Sequence, residues 1–459
     1  MRQYRRGMFY ISNQLLSVFA GLTLKRHVQW HNTMNTTDKQ GMFQQAAEIM
    51  RLNDRGDYTV PTSGLYPFQW NWDSCLVALG QRHVDEKRAW TELETLFRHQ
   101  WDDGMVPHIV FHQRDDGYFP GPDVWNTQRE TPTTGITQPP VAGFAVKRLY
   151  DLATDKSLAQ DKALGLVKQI DRWHEWFYRS RDPHGSGLVA LIHPWEAGRD
   201  NSVDWDEPFN RVPTDGVEPY QRCDLQHASA DHRPTMAQYD RYIWLVHCFR
   251  DLQWDNNKLH DASPFQVVDP GFNAILIRSC METATLAEAL GEPSIAQRNR
   301  AFAKHALTAL DALWSDTLGQ YVCFDRVGDK LIDSPSVGGL IPVVAAIPAK
   351  RAKAIAERIE DLGKRCQYLV PSHDPADTRF DAKRYWRGPS WLIVNYLIAD
   401  GLHQAGLDEI ASKSEKQSLQ LINQSGFAEY YDPITGEPCG GKTFSWTAAM
   451  VMEFLQRVA

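Results

Sequence analysis

Apolar residues recur at every third or fourth position along much of the chain, the spacing that places them on one face of an α-helix. The stretch 157–178 is typical, with Leu164, Val167, Ile170 and Trp173 at intervals of three. Runs that alternate apolar and polar residues, as strands do, are few, and 321–324 is a short exception. The predicted helices are 139–152, 157–178, 239–252, 272–290, 294–314, 348–362, 391–406, 407–425 and 445–458.

A sharp break separates two of these helices. Gly291-Glu292-Pro293 ends the first one, because glycine and proline both interrupt a helix. Ser294 is followed three residues later by Gln297, the pattern of a capping box that begins the second helix. We therefore expect the two helices to pack as an antiparallel hairpin.

The predicted helices are joined by long loops that are rich in glycine, proline and aromatic residues. This arrangement favours an all-α toroid of helical hairpins, with the loops of one face building a site. An irregular α-solenoid is the alternative, but it would show a clearer repeat of about 34–47 residues. Because no low-complexity linker interrupts the chain, residues 41–459 are predicted to form a single domain.

Residues 1–40 are predicted to be a flexible or over-long extension, with the working domain beginning near Met34 or Met42. Basic residues precede 8–22, which loosely resembles a signal peptide. Polar residues such as Asn13 interrupt its apolar core, and no clean cleavage site follows. We therefore predict a cytoplasmic protein.

Composition narrows the classes of function. Hydrophobic residues make up 42% and charged residues 23% of the 459 positions, which is ordinary for a globular protein. The net charge of −8 argues against a nucleic-acid partner, and no apolar run is long enough to predict a membrane span. Seven cysteines, an odd number without a Cys-x-x-Cys motif, fit a reducing cytosol. The 16 tryptophans form either a large aromatic core or a carbohydrate site in which rings stack on sugars.

Two kinds of motif suggest other chemistries but lack what those chemistries need. Residues 436–443 match the phosphate-loop pattern G-x-x-x-x-G-K-T, yet no buried strand precedes them and too few residues follow for a nucleotide-binding sheet. The pairs His27/His31 and His108/His112 have i, i+4 spacing without the third ligand and adjacent acid of a zinc site. We predict neither a nucleotide nor a metal cofactor.

Aromatic residues surround an acid in the run Trp70-Asn71-Trp72-Asp73. The Asp73 carboxylate is explained equally well as the N-cap of a helix over 74–79 and as an acceptor for sugar hydroxyls. In the second case the two indoles would form the pocket wall.

A Gly-Pro turn at 388–389 carries a similar cluster of Trp386, Arg387 and Trp391. Two indoles and a guanidinium held at such a turn suit the wall of a site. The alternative is that Arg387 forms a structural ion pair with one of the many acids.

Two further carboxylates, Asp200 and Glu429, lie far apart in sequence in loop-like segments crowded with aromatic residues. Hydrolysis of a glycosidic bond needs such a pair, one to protonate the leaving oxygen and one to activate water. Individually, Asp200 is better explained as part of an Asx-turn and Glu429 as an exposed acid in a turn.

Together these segments resemble glycoside hydrolase family 63, in particular its short bacterial members that hydrolyse mannosylglycerate and glucosylglycerate. The trehalases are similar more distantly. The resemblance extends from about residue 46 to the C-terminus and implies an (α/α)6 barrel whose long loops form the active site on one face. The matching motifs, in chain order, are 53–56, 65–67, 70–73, 102–108, 117–122, 135–140, 239–242, 385–391 and 427–438.

The resemblance also implies roles for individual residues. Asp200 matches the general acid and Glu429 the general base of an inverting reaction. Arg233 and Tyr239 match residues that bind glycerate, and a guanidinium suits a carboxylate. The segment 53–63 matches a mobile lid over the substrate. The other substrate-binding candidates are Tyr66, Trp70, Trp72, Asp73, Gln138, Trp195, Trp386, Arg387 and Trp391.

Two of the departures from the family pattern affect the predicted chemistry. Arg199 stands beside the acid where relatives have methionine, and its charge would lower the pKa of Asp200 unless the side chain points away. As a general acid, Asp200 needs a raised pKa, which we expect from burial against Trp195 and other aromatic residues. Phe444 stands where glycerate-specific members have glutamine, so one hydrogen-bond donor is lost at the glycerate end.

The sequence thus predicts a cofactor-free, inverting α-glycosidase that acts on a small α-glucoside or α-mannoside. Glucosylglycerate or mannosylglycerate is the leading substrate. The alternatives are a trehalase- or glucobiose-type hydrolase, whose aglycone (the group released from the sugar) is neutral, and a catalytically silent sugar-binding protein. The predicted partner is a small-molecule sugar, with no nucleic acid and no membrane, and assembly into a homo-oligomer is left open.

Overall fold

The computed structural model describes residues 36–222 and 230–457. Most of the predicted N-terminal extension, with the signal-like stretch, His27 and His31, lies outside the described residues, as does Cys223. The chain divides into Met1–Gln40 and Gly41–Ala459, and the fold below is that of the second unit.

Fifteen α-helices account for most of the regular structure in the described part of the chain. They are α1 (Thr36–Asn53), α2 (Asn71–Gln81), α3 (Glu86–Arg98), α4 (Pro122–Trp125), α5 (Ala142–Leu152), α6 (Lys156–Ser180), α7 (Asp206–Asn210), α8 (Met236–Asp251), α9 (Asn256–Ala262), α10 (Pro270–Ala289), α11 (Pro293–Leu310), α12 (Ala349–Leu362), α13 (Leu392–Gln404), α14 (Asp408–Ser425) and α15 (Ser445–Arg457).

The strands are short and form antiparallel pairs. They are β1 (Gln69–Trp70), β2 (Ile109–Val110), β3 (Val267–Val268), β4 (Trp314–Ser315), β5 (Gln320–Tyr321), β6 (Cys323–Asp325), β7 (Lys330–Ile332), β8 (Ala428–Tyr431) and β9 (Pro438–Lys442). The pairs are β1–β2, β3–β6, β6–β7, β4–β5 and β8–β9.

Six elements form a closed inner ring. Helix α15 packs on α2, α2 on α5, and α5 on α10. Both α10 and α13 pack on the 3₁₀ segment Ile341–Ala345, and α13 returns to α15. Along the chain these inner elements alternate with the outer helices α3, α6, α11, α12 and α14, so the fold is the predicted (α/α)6 barrel.

The connections at the two ends of the barrel differ in length. An inner helix passes to the next outer helix through only three or four residues, at 82–85, 153–155, 290–292 and 405–407. The return from an outer to an inner element takes much longer loops, such as 99–141 and 181–269. Long loops on one end are therefore available to build a site.

Close helix packing explains one of the buried glycines. A Cβ atom on Gly80 of α2 would lie 2.5 Å from the Cα atom of Ala449 on α15. Only a residue without a side chain allows the two helices to approach this closely. We found no helix among the described residues that is long and apolar enough to span a membrane.

Most of the predicted helices are confirmed, including the packing of α10 against α11, but several ends differ. The predicted cap at Ser294 is wrong. Pro293 begins α11 and Glu292 is its N-cap, because the fixed φ of proline suits the first helical position. Likewise α5 begins at Ala142 rather than 139, since two consecutive prolines disfavour helix before them. The predicted strand 321–324 is divided between β5 and β6, which have different partners.

Candidate active site

A cavity of about 230 Å³ lies at the end of the barrel that carries the long loops. The N-terminal ends of several inner helices open toward it. Trp72 and Asp73 lie in the first turn of α2 and Trp446 in that of α15, whereas Gln138 and Trp386 shortly precede α5 and α13. Because the N-terminus of a helix is its positive end, this arrangement favours negative charge in the cavity.

Eleven of the thirteen residues predicted for the site line this cavity. They are Tyr66, Trp70, Trp72, Asp73, Gln138, Trp195, Asp200, Arg233, Tyr239, Trp386 and Glu429.

Glu429 is supplied by strand β8 and is 1% exposed. One carboxylate oxygen, Oε1, accepts hydrogen bonds from the hydroxyls of Tyr66 and Tyr385, each at 3.2 Å. The other, Oε2, accepts from the backbone N–H of Gly441 at 2.9 Å and lies 3.4 Å from Nη2 of Arg233. The carboxylate is therefore held in one orientation by groups from four separate segments.

The hairpin of β8 and β9 makes this contact through its own backbone. Gly440 has a φ of +72°, and a Cβ atom there would lie 2.3 Å from Oε2 of Glu429. A glycine is thus required both for the backbone conformation and for the close approach. Residues 436–443, which match the phosphate-loop pattern, contain strand β9, and their N–H group at Gly441 is directed to a carboxylate. This geometry is that of a strand and not of a phosphate loop.

Asp200 comes from a distant part of the sequence, in a turn between two 3₁₀ segments. Its backbone carbonyl accepts a hydrogen bond from the Tyr242 hydroxyl at 2.8 Å, and its side chain lines the cavity. The next residue, Asn201, accepts a hydrogen bond from the backbone N–H of Trp386 at 2.9 Å. Asp200 is half-buried, so its carboxyl group is reachable from the cavity.

Arg199, the unexpected neighbour of Asp200, is engaged elsewhere. Its guanidinium donates to Asp204 at 2.8 Å and to Asp269 at 2.9 Å, and it stacks over the ring of Trp205 at 5.0 Å. All of these partners are buried. The two carboxylates thus neutralise the charge of Arg199. Arg199 does not line the cavity, whereas Asp200 does.

Asp73 is a third carboxyl group of the cavity wall and is 4% exposed. Helix α2 begins at Asn71, so Asp73 lies inside the first turn and the alternative role as an N-cap is wrong. Burial raises the pKa of Asp73 well above its ordinary range, and the nearby carboxylates of Glu429 and Glu92 raise it further. A carboxyl group in this setting can exchange hydrogen bonds with a sugar hydroxyl in either protonation state.

Trp391 and Arg387 do not line the cavity, which corrects their prediction as substrate contacts. The ring of Trp391 stacks face to face on the ring of Trp386, with the centroids 3.9 Å apart and the planes parallel. Arg387 forms an ion pair with Asp206. The two indoles are buried against each other, which holds Trp391 away from the cavity. Arg387 is held by its ion pair with Asp206, whose side chain is 38% exposed.

Several cavity residues were not singled out from the sequence. His108 and His193 support Trp195, whose ring lies 6.4 Å and 4.7 Å from theirs, centroid to centroid. Burial lowers the pKa of both imidazoles to about 3. Of the two, only His108 lines the cavity, together with Tyr118, Phe119, Trp125, Tyr385 and Trp446. Phe444, which the sequence marked as a departure from the family pattern, lines it as well.

The segment 53–63, predicted as a lid, borders the cavity through Pro61. It is tied to the barrel at two places. The Thr59 hydroxyl donates to buried Glu92 at 2.8 Å, and the Thr62 hydroxyl donates to the Lys442 carbonyl on β9 at 2.7 Å. Its position therefore fits a cover over the cavity, and its mobility stays a prediction.

One group of possible metal ligands lies outside the cavity lining, at His184, His260 and Asp261. Nη1 of Arg326 lies 3.2 Å from Nε2 of His260, and a guanidinium only donates. The proton of His260 is therefore on Nδ1, which lies 3.0 Å from Asp261. Neither nitrogen has a lone pair left for a cation, so this group does not fit a metal site.

Comparison with known proteins agrees with this geometry. The chain is 45% identical to mannosylglycerate hydrolase MGH1 from Selaginella moellendorffii over 92% of this chain and 86% of that protein. It is 34% identical to glucosylglycerate hydrolase from Mycolicibacterium hassiacum over 89% of this chain and 96% of that protein.

A solved structure also matches closely. The mannosylglycerate hydrolase of family GH63 from Thermus thermophilus, in complex with Tris and D-glycerate, superposes with a TM-score of 0.88 at 42% identity. The match covers 91% of this chain and 100% of that chain. Residues 66–447 match the family described as the mannosylglycerate hydrolase MGH1-like glycoside hydrolase domain. The chain therefore belongs to this family and is a glycoside hydrolase.

Proposed function

We propose that the enzyme hydrolyses a small α-mannoside or α-glucoside with an acidic aglycone, mannosylglycerate or glucosylglycerate, with inversion at the anomeric carbon. The observation that carries the proposal is that Asp200 and Glu429 line one cavity whose walls are indole rings and whose buried cation is Arg233. Flat indoles suit sugar rings, and a buried guanidinium suits a carboxylate.

In this mechanism Asp200 gives its proton to the glycosidic oxygen as the bond from that oxygen to C1 breaks. Glu429 takes a proton from a water molecule whose oxygen forms the new bond to C1 from the opposite face. In the same mechanism Asp73 and Gln138 hold sugar hydroxyls, and Arg233 and Tyr239 hold the carboxylate of the aglycone. All four residues line the cavity, which supports these roles. The names of the relatives support both sugar configurations.

A neutral aglycone is the second candidate, and one observation favours it. The ring of Phe444 packs edge-on against Tyr66 with the centroids 5.9 Å apart, so one wall near Glu429 is apolar. Such a wall suits a sugar or alkyl aglycone better than a charged one.

The test is a panel of mannosylglycerate, glucosylglycerate, trehalose and methyl α-glycosides incubated with the purified full chain. We expect the fastest sugar release from one of the two acidic glycosides, with the β-anomer appearing first in the NMR spectrum. Faster release from trehalose would favour the neutral aglycone, and initial α-anomer would contradict inversion. Binding without release from any glycoside would favour the catalytically silent alternative.

A further inference from the structure

The surroundings of Glu429 are unusual for a residue that must accept a proton. A carboxylate has about four lone-pair positions. Here two hydroxyls point to Oε1, while a backbone N–H and a guanidinium point to Oε2. All four positions are therefore occupied in the absence of substrate.

A general base needs one free lone pair directed at the attacking water. In the state described by the structure, Glu429 does not meet this requirement, so at least one donor must move before the reaction.

Three of the four donors are fixed by the fold. Gly441 donates through the backbone of β9. The ring of Tyr385 packs against Trp391 with the centroids 5.1 Å apart, and the ring of Tyr66 against Trp70 at 5.3 Å. The aromatic wall therefore keeps both tyrosine oxygens beside Oε1, and only their O–H bonds can turn, toward the other hydroxyl 3.4 Å away.

Arg233 is the one donor of the four that carries a charge, so an anionic ligand can draw it away. Its Nη2 contact with Glu429, at 3.4 Å, is the longest of the four, and its Nη1 donates to the Tyr66 hydroxyl at 2.9 Å. It reaches the carboxylate along the face of the Tyr385 ring, 4.6 Å from the centroid, which is a surface that a guanidinium can slide across. It also lines the cavity, so a ligand can reach it directly.

We propose that Arg233 holds Glu429 in a resting state and that the carboxylate of the aglycone draws Arg233 away, so that an acidic substrate activates the base. The inference rests on the proposed function, because it needs an anionic aglycone at Arg233. The same residue then serves recognition and activation, since pairing with the substrate both neutralises its charge and frees a lone pair on Glu429.

This arrangement makes specificity appear in turnover rather than in binding alone. A neutral glycoside fills the sugar part of the cavity but leaves Arg233 on Glu429. We therefore expect neutral glycosides to have a low kcat in the wild type, even where the enzyme is saturated with them.

The test compares Arg233→Met, which removes the charge at similar length, with Arg233→Lys, which retains it. On methyl α-mannoside or methyl α-glucoside, whichever sugar the enzyme accepts, we expect Arg233→Met to raise kcat about tenfold over the wild type, a part of the roughly 10²–10⁴-fold that a general base contributes. Arg233→Lys should leave it low. On the acidic glycoside, Arg233→Met should lower kcat/KM about 100-fold.

Arg222 offers a matched control. It is also a buried arginine stacked over a tyrosine, with its guanidinium carbon 4.2 Å from the Tyr239 ring centroid, but it does not line the cavity. Arg222→Met should not raise kcat on the neutral glycoside. An equal gain in both Met variants would assign the effect to altered packing and overturn the proposal.

A second measurement uses the wild type and does not depend on how the variants fold. Fluoride is a small leaving group, so an α-glycosyl fluoride leaves the aglycone region open. Added D-glycerate should raise kcat for the glycosyl fluoride about tenfold in the wild type, a part of the roughly 10²–10⁴-fold that a general base contributes, and have no such effect in Arg233→Met.

Two outcomes would contradict the inference while leaving the proposed function intact. One is that the wild-type enzyme hydrolyses the acidic glycoside but Arg233→Met shows no gain of kcat on the neutral glycoside. The other is that the wild-type enzyme hydrolyses the acidic glycoside but D-glycerate does not stimulate its hydrolysis of the α-glycosyl fluoride. Failure of the wild type to hydrolyse any α-glycoside would instead overturn the proposed function.

Discussion

Two buried glutamates at opposite ends of the barrel have similar partners but different geometry. Glu429 at the cavity end lies 3.4 Å from one arginine, Arg233. Glu453, near the C-terminal end of α15, is wholly buried and lies 2.6 Å from Arg82 and 2.9 Å from Arg148. Both also accept hydrogen bonds from tyrosine hydroxyls.

The difference shows that burial beside arginine does not by itself identify a catalytic carboxylate. Burial alone would raise the pKa of Glu453, but contacts with His83, Arg148 and Arg82 lower it well below its ordinary value. Glu453 does not line the cavity of the site and is held by short contacts. A catalytic carboxylate needs the opposite, which is a place in the wall of the substrate cavity and a lone pair that can be freed for the attacking water.

The largest expected effect separates the two glutamates by activity. Glu429→Gln removes the base, and we expect kcat to fall about 10³-fold or more while the protein stays folded. Asp200→Asn should cause a loss of similar size because it removes the acid. Turnover of the leading substrate measures the loss of activity, and circular dichroism shows whether the variant is folded. Near-wild-type turnover in either variant would remove that residue from the mechanism.

At the other end of the barrel we expect the reverse, a loss of stability without a loss of activity. Glu453→Gln removes the buried carboxylate that pairs with Arg82 and Arg148, and Arg148 keeps only Asp400, at 3.9 Å. Because both arginines are partly exposed, we expect the free energy of unfolding to fall by about 1.5–3 kcal/mol, the range for hydrogen bonds to charged groups. Because Glu453 is remote from the cavity, we expect kcat within about twofold of the wild type where the variant is folded. Denaturant unfolding, together with kcat at low temperature, measures both. A loss of kcat without a loss of stability would contradict the comparison.

The smallest expected effect is a difference between the two ends in how the free energy of unfolding depends on pH. Burial lowers the pKa of His108 and His193 to about 3 from an ordinary value of 6.5. The unfolded chain therefore binds more protons below pH 6.5, and stability falls as the pH drops toward 3. At about pH 5.5 each histidine should lower the free energy of unfolding by about 1.4 kcal/mol relative to its value above pH 7. The Glu453 ion pairs persist at this pH because the pKa of Glu453 is lowered.

Thermal unfolding of the wild type, His108→Gln and His193→Gln between about pH 7.5 and 5.5 measures this effect. Each variant should show a shallower decrease of Tm with falling pH than the wild type, because one group that titrates only on unfolding has been removed. Parallel pH dependences in all three proteins would instead assign the acid sensitivity to other groups.

Helical periodicity was enough to predict the barrel, because most of its helices have a clear apolar face, as in α6 with Val167, Ile170 and Trp173. It failed at the ends of helices, because the backbone restrictions of Pro140 and Pro293, rather than the apolar pattern, decide where α5 and α11 begin. It also missed that the fourth inner element is the 3₁₀ segment Ile341–Ala345, which is too short to show a helical period.

The site was predicted less from pattern than from resemblance. Asp200 and Glu429 are 229 positions apart (429 minus 200), and no local signal shows that they share a cavity. Tyr385 was missed because only the packed loops bring its hydroxyl to Glu429. Conversely, Arg387 has the residue type of a binding group, and only the structure shows that Asp206 already occupies it.

The short connections that leave the inner helices have a practical consequence. Each of 82–85, 153–155, 290–292 and 405–407 lies where an inner helix ends, away from the loops that line the cavity. A surface anchor or a fused reporter domain attached at 153–155 or 290–292 would therefore leave the entrance for substrate unobstructed. The enzyme could be immobilised in this way with every molecule presenting its catalytic end to the solution.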